Sequence, residues 1–135
     1  MPYVNLKFVK GQVTKEQKDK LVQGLMDIIV NLMHRNQDLT VITIDELDSC
    51  NWIIGGKSIE RTSESHNKVL YVNIKISKGT SNPDEMASVI KAGKVLTKEV
   101  LGSCDLTNYF IIEELNPDGW GFDGISMTIR NSAEK

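Results

Sequence analysis

Proline stands at position 2, directly behind Met1, and its backbone nitrogen is the most distinctive reactive group that this chain offers. Once the methionine is removed, Pro2 carries a free secondary amine. A free α-amine has a pKa near ~8, and burial in an apolar pocket lowers that pKa toward the range that suits a general base. The pyrrolidine ring also restricts the direction of the nitrogen. Pro2 is therefore a candidate base for proton transfer without a cofactor.

Histidine and cysteine side chains give no competing site. His34 and His66 are isolated, with no cysteine or carboxylate at ligand spacing, so no metal site is predicted. Cys50 and Cys104 match neither a disulfide framework nor a zinc spacing, and we interpret them as two reduced thiols. No serine, cysteine and histidine arrangement for nucleophilic catalysis, and no phosphate-binding glycine loop, is recognisable.

The segment that begins at Pro2 occurs twice in the chain. Residues 2–11 read PYVNLKFVKG and residues 70–79 read LYVNIKISKG, and six of these ten positions are identical at an offset of 68. An internal repeat of this kind predicts two copies of one structural unit. The second copy has Leu70 in the place of Pro2. Because Leu70 is internal, at most one of the two half-sites in a chain can use a proline amine.

Each copy has the pattern of a strand, a helix and a second strand. Thr14 and Asn82 are equivalent helix caps, the first in a capping box and the second followed by a proline at the first helical position. Apolar residues at helical spacing follow over about twenty residues. The runs VITIDEL at 41–47 and YFIIEEL at 109–115 then predict the second strands. A crossover helix of this length makes the two strands of a unit parallel.

The predicted fold class is α+β built from α/β units: tandem β-α-β repeats that form a four-stranded sheet with two helices on one face. We assign residues 1–57 to the first unit, 58–68 to a linker and 69–135 to the second unit, together one compact pseudo-twofold domain. The opposite face of the sheet would carry apolar surface from Val9, Val41, Thr43 and Tyr109. We expect oligomerisation to cover it.

Composition restricts the classes of function. The chain has 135 residues, a net charge of −2 and no cluster of lysine or arginine, so nucleic acid is not an expected partner. No apolar run approaches the ~18 residues of a membrane span, and lysines interrupt the apolar residues that follow Met1. We therefore expect a cytoplasmic protein that has no contact with membranes.

Taken together, these features resemble the 4-oxalocrotonate tautomerase family in its fused, two-copy type. The resemblance is carried by Pro2, by the PYVNLKFVKG strand and its helix, and by the segments WIIGG at 52–56 and WGFDG at 120–124. It implies β-α-β units assembled with threefold symmetry, so that a fused chain forms a homotrimer. It also implies a proline base, arginines that hold the substrate carboxylate, an aromatic residue beside the proline, and no cofactor.

Mapped onto this chain, the resemblance makes Pro2 the catalytic base. Trp52 falls where the family has its pocket aromatic, although a large ring there could equally serve only in packing. The places of the family's two arginines hold other residues in both copies: Gln12, Thr80, Val41 and Tyr109.

Other residues must then supply the positive charge. With no arginine at the family's positions, we assign substrate binding to Trp52, Lys10, Gln12 and Arg61. Of these four residues, Lys10 and Arg61 carry the positive charge. Lys78 and Arg35 are further sources of positive charge, and the sequence does not place any of these side chains in a pocket.

Three functions remain open at this point. The first is a tautomerase that moves a proton in a small enol or dienol carboxylic acid with Pro2 as the base. The second keeps the proline but protonates it, so that it acts as the acid in hydration or dehalogenation of a small unsaturated acid. The third is a non-catalytic binding or interaction protein of the same fold, which the absent arginines favour.

Overall fold

The computed structural model describes residues 2–61 and 67–133, and these form a mixed sheet with two long helices and two small hairpins. The elements are β1 (Tyr3–Val9), α1 (Lys15–Asp27), β2 (Val41–Leu47), β3 (Ile53–Ile54), β4 (Lys57–Ser58), β5 (Leu70–Ser77), α2 (Pro83–Leu101), β6 (Phe110–Leu115), β7 (Gly121–Phe122), β8 (Ile125–Ser126) and α3 (Met127–Ala133).

Both long helices begin at the predicted caps. The backbone N–H of Gln17 donates to the Thr14 hydroxyl at 3.1 Å, and the Thr14 N–H donates to the Gln17 side chain at 2.9 Å. At α2, the Glu85 N–H donates to the Asn82 side chain at 2.9 Å. After α1 the helix continues as a π-helical turn over Ile28–Leu32, which gives the first unit a helical segment nearly as long as the second.

The four long strands are ordered β2-β1-β5-β6. Strand β1 is parallel to β2, and β5 is parallel to β6, as expected for two β-α-β units. The two units join through the antiparallel pair β1 and β5, in which Asn5 lies opposite its repeat equivalent Asn73. The predicted fold class is thereby confirmed. The antiparallel join places the start of β1, and so Pro2, beside the end of β5.

One face of the sheet packs against α1 and α2. The buried side chains of this core include Val4, Leu6, Phe8, Leu21, Leu25, Val72, Ile74, Ile76 and Val89. In α2, Gly93 lets the helix approach β6 closely, because a Cβ built at this glycine would lie 2.2 Å from the Phe110 ring. Glycine therefore sits in the helix interior here for packing, despite its low helix propensity.

The other face of the sheet is only partly covered. Val41 and Tyr109 are 53% and 68% exposed, in keeping with the expected apolar surface. Val9, by contrast, is 2% exposed, because the first hairpin and the segment before β5 fold over it and bury it with Ile59 and Val69.

The two hairpins, β3 with β4 and β7 with β8, occupy equivalent places in the two copies. Gly55 and Gly56 form the first turn with φ of +60° and +84°, a conformation that glycine adopts without strain. Of the predicted linker, residues 58–61 extend this hairpin into a 3₁₀ turn and residues 62–66 lie outside the described ranges, so the assigned boundaries stay a prediction. Within the described residues, no helix is long and apolar enough to cross a membrane.

Candidate active site

Pro2 is buried and lines a cleft of about 700 Å³ between the two copies. Its carbonyl accepts a hydrogen bond from the Val41 N–H at 3.4 Å, which fixes the start of β1 against β2. The first copy contributes Pro2, Tyr3, Leu39 and Val41 to the lining. The second copy contributes Lys75, Trp120, Phe122 and Met127. The site therefore exists only because the two copies are joined.

Hydrogen bonds hold the indole of Trp120 in the wall of this cleft. The indole N–H donates to the Ser77 hydroxyl at 2.9 Å, and Ser77 is buried at the end of β5. The hydroxyl of Thr80 donates to the Ser77 carbonyl at 2.6 Å. One Nη of Arg35, in the first copy, donates to both the carbonyl and the hydroxyl of Thr80 at 3.0 Å. A chain of hydrogen bonds thus links the first copy to the wall supplied by the second.

Arg35 is partly buried at its contact with Thr80. Burial lowers the pKa of its guanidinium, and the negative charge of Glu85 acts in the opposite direction. Its Nε is buried and has no hydrogen-bond partner among the described residues. Arg35 does not line the cleft. It instead binds Thr80, which occupies one of the positions where the family resemblance implies an arginine.

The equivalent pocket at the start of the second copy is smaller and has a different lining. A pocket of about 280 Å³ is lined by Trp52, Leu70, Tyr71 and Tyr109 among others. The backbone N–H of Leu70 donates to the Asn108 side chain at 3.0 Å. Because this nitrogen belongs to an internal amide, it cannot act as a base. The second copy therefore has a smaller pocket and no reactive nitrogen at this position.

The residues assigned to substrate binding from sequence lie away from Pro2 within one chain. Trp52 packs near Val9 and lines the pocket at Leu70. Lys10 is exposed beyond the end of β1 and pairs with Asp48 at 3.5 Å. Since β1 spans seven residues, these groups are separated from Pro2 by about 23 Å of strand.

Gln12 and Arg61 complete that set. The side-chain oxygen of Gln12 accepts a hydrogen bond from the Val69 N–H at 3.0 Å, so it holds the chain that enters β5. Arg61 ends a 3₁₀ turn, and its side chain lies outside what the structure describes. The binding roles of Trp52, Lys10, Gln12 and Arg61 stay predictions.

From the sequence, Trp120 and Phe122 stood out only as part of the segment at 120–124, and nothing pointed to Lys75 or to the supporting Ser77. The antiparallel join of β1 and β5 places the second hairpin, and not the first, beside Pro2. Without the pairing direction of β1 and β5, the repeat alone leaves this assignment open.

Comparison with known proteins identifies relatives of the chain. The tautomerase enzyme family matches residues 2–62. A probable tautomerase K2 of Dickeya dadantii (strain 3937) is 42% identical over 59 residues, which are 44% of this chain and 88% of the relative. A probable tautomerase of Helicobacter pylori (strain J99) is 38% identical over 68 residues, which are 49% of this chain and 100% of the relative.

Solved structures agree with the two-copy fold over nearly the whole chain. Native fused 4-OT superposes with a TM-score of 0.82 at 15% identity, covering 96% of this chain and 98% of that one. A fused 4-OT solved as a symmetric trimer gives 0.79 at 17% identity, covering 93% and 96%. A member of the cis-3-chloroacrylic acid dehalogenase family gives 0.74 at 10% identity, covering 92% and 82%.

Identities this low establish the fold and no more. The assignment to a family rests instead on the bacterial relatives, since most or all of each relative's length aligns with this chain at close to 40% identity. The chain therefore belongs to the tautomerase family.

Proposed function

We propose that this protein is a cofactor-independent tautomerase that uses Pro2, after removal of Met1, as the general base on a small enol or dienol carboxylic acid. The observation that carries the proposal is that the buried Pro2 lines a cleft of about 700 Å³, which is large enough for such a substrate. Only this half of the chain has a proline at the start of its first strand.

The surroundings of Pro2 favour the unprotonated amine. Leu39, Val41, Phe122 and Met127 make much of the cleft apolar, and an apolar setting disfavours an ammonium ion. We expect the pKa of the Pro2 amine to lie below ~8, so that a large fraction is neutral near pH 7. A base with such a pKa can both accept a proton and return it.

The reaction then proceeds by two proton transfers. The nitrogen of neutral Pro2 takes the hydroxyl proton of the enol, and the electron pair of that O–H bond forms the carbonyl. The double-bond electrons take a proton back from Pro2 at carbon, which regenerates the neutral amine. No redox partner or cofactor enters this balance, and the net change is the movement of one proton.

The direct test replaces Pro2 with alanine. Alanine also permits removal of Met1 but leaves a primary, more mobile amine, so turnover of phenylenolpyruvate should fall by about 10² or more, the contribution typical of general-base catalysis. Pro83→Ala is the matched control, because Pro83 lies at the first turn of α2, where a proline amide has no role in the cleft. Intact mass must show that each protein begins at residue 2, and undiminished turnover by the Pro2 variant would refute the proposal.

A second reaction class is kept because one structural neighbour belongs to a dehalogenase family. In a hydratase or dehalogenase, a protonated proline would act as the acid, which requires a pKa above ~8. Titration of the Pro2 amine by NMR separates the two, since a low pKa favours the base and a high pKa the acid. An inert protein with a free Pro2 would leave the non-catalytic alternative.

We also propose that the chain assembles as a homotrimer. A neighbour of this fold is a symmetric trimer, and the exposed Val41 and Tyr109 on the open sheet face give this chain an apolar surface to bury. Sedimentation should then give three times the chain mass of 15.1 kDa.

A further inference from the structure

One charged side chain takes part in the otherwise neutral lining of the Pro2 cleft. Among the described residues that line it, Lys75 alone carries a charge. Its Cα is the register partner of Tyr3 across the join of β1 and β5, which places it one residue beyond Pro2 along the strand. The Lys75 side chain comes from the second copy, opposite a base that only the first copy has.

The repeat provides an internal comparison for this lysine. Lys7 is its equivalent, and the Nζ of Lys7 lies 2.8 Å from a carboxylate oxygen of Asp45. The Nζ of Lys75 instead lies 2.8 Å from the neutral amide oxygen of Asn73, and its ion pair with the carboxylate of Glu113 has the longer distance of 3.5 Å. The ammonium of Lys75 is thus held in place by a neutral group, and its charge is less fully neutralised than that of Lys7.

The remaining donors of Lys75 are suited to an anion. An ammonium has three N–H groups, and Asn73 accepts one of them. Its side chain is 34% exposed, so it is partly desolvated, yet it is still open to a ligand. A carboxylate that replaced water here would form a charge-assisted hydrogen bond, which is stronger than a neutral one.

The far wall of the cleft has the opposite character. Trp120, Phe122 and Met127 offer rings and a thioether but no positive charge. The guanidinium of Arg130 is near, but it stacks on the Phe122 ring at 3.6 Å and donates to the Phe122 carbonyl at 2.9 Å. The Arg130 side chain therefore binds the second hairpin and does not line the cleft.

We propose that Lys75 binds the substrate carboxylate, in place of the arginines that the family resemblance implies and this chain lacks, and that the cleft selects monocarboxylic acids with an apolar or aromatic tail. The choice of an enol acid rests on the proposed function, whereas the binding of the anion does not. A second carboxylate on the substrate would lie against the Trp120 and Phe122 wall without a partner, at the cost of desolvating an unpaired charge.

The binding test uses ligands that cannot react. Calorimetry compares 3-phenylpropanoate with its uncharged analogue 3-phenylpropanamide on the wild type, Lys75→Gln, Lys75→Arg and the matched control Lys7→Gln. We expect Lys75→Gln to weaken the acid by about 10- to 100-fold, as for loss of a hydrogen bond to a charged group, and to leave the amide unchanged. Lys75→Arg should retain the preference for the acid, and Lys7→Gln should bind both ligands as the wild type does.

Several outcomes would overturn the inference. One is a Lys75→Gln protein, shown by its mass and melting temperature to be assembled and folded, that binds the acid as tightly as the wild type. Another is an equal loss of affinity for the acid in Lys7→Gln. A third is a preference for the acid that is kept in Lys75→Gln and lost only in Arg130→Met. Because these measurements need no turnover, they separate failure of this inference from failure of the proposed tautomerase.

Turnover tests the selection of substrates in the same proteins. If the wild type is active, kcat/KM for phenylenolpyruvate should exceed that for the dicarboxylate 2-hydroxymuconate by about 10-fold or more, the scale of one unpaired charge-assisted hydrogen bond. A preference for the dicarboxylate would contradict the selection of apolar tails.

Discussion

The indole N–H of Trp120 and the hydroxyl of Ser77 form a hydrogen bond of 2.9 Å that the other half of the chain does not contain. The residue equivalent to Ser77 is Val9, which packs with Trp52 and offers that indole no acceptor. The two copies have therefore diverged at the position that sets the ring of the pocket wall. The tryptophan that lines the Pro2 cleft is therefore the one that a polar contact orients, although it belongs to the other copy.

Replacing Ser77 with valine, the residue that the first copy uses, should free the Trp120 ring. The indole N–H would lose its acceptor in a half-buried site, which costs about 1–3 kcal/mol of folding free energy where no water replaces the hydroxyl. We expect a several-fold rise in KM and a shifted fluorescence maximum of Trp120, measured in a Trp52→Phe background. If Ser77→Val has the same effect when Trp120 is already phenylalanine, the hydrogen bond is not the cause.

Gly93 should tolerate no larger side chain. Alanine would place its Cβ 2.2 Å from the Phe110 ring, so either the ring or α2 must move, and overpacking of this kind costs about 1–3 kcal/mol. Gly119→Ala is the matched control, since a Cβ there would meet no atom within 4 Å. Urea denaturation should show a lower unfolding free energy for the Gly93 variant only, and equal values for the two proteins would contradict the close approach.

The success of the sequence in predicting the main sheet and helices has a physical basis in the repeat. Each copy must satisfy the same caps and bury the same apolar face, so Thr14 and Asn82 identify both helix starts independently. The hairpins were harder, because strands of two residues have no periodicity to detect. The helix α3, over Met127–Ala133, was also missed.

The site was predicted only in part for a different reason. Pro2 becomes a candidate base because it stands behind Met1 at the start of a repeated strand and the chain also has the glycine-containing segments at 52–56 and 120–124. The identity of its neighbours depends on how the two copies pair, and the offset of 68 is equally compatible with either hairpin beside it. The antiparallel register of β1 and β5 decides for Trp120, and it brings in Lys75, whose sequence context differs little from that of Lys7.

Asp45 should make the stability of the first copy sensitive to acid. Hydrogen bonds from Lys7 first, and then from Asn5, lower the pKa of its carboxyl below the ordinary 3.8 in the folded protein. The stabilisation is therefore present above that value and is lost as the pH falls through the lower folded pKa. Unfolding free energies from pH 7 to pH 3 should decline more for the wild type than for Asp45→Asn, and parallel curves would contradict this linkage.

Arg35 should couple the first copy to the turn that supports the Trp120 wall. Changing Arg35 to methionine keeps an apolar chain of similar length but removes both hydrogen bonds to Thr80, which contribute about 1 kcal/mol each at most in a half-exposed position. Arg35→Lys is the conservative comparison, because one ammonium can restore a single bond. Hydrogen exchange should increase at the backbone amide of Thr80 in the methionine variant and less in the lysine variant. The same exchange as in the wild type would mean that the turn holds Ser77 without help from the first copy, since the Thr80 N–H already donates to the Ser77 carbonyl at 3.4 Å.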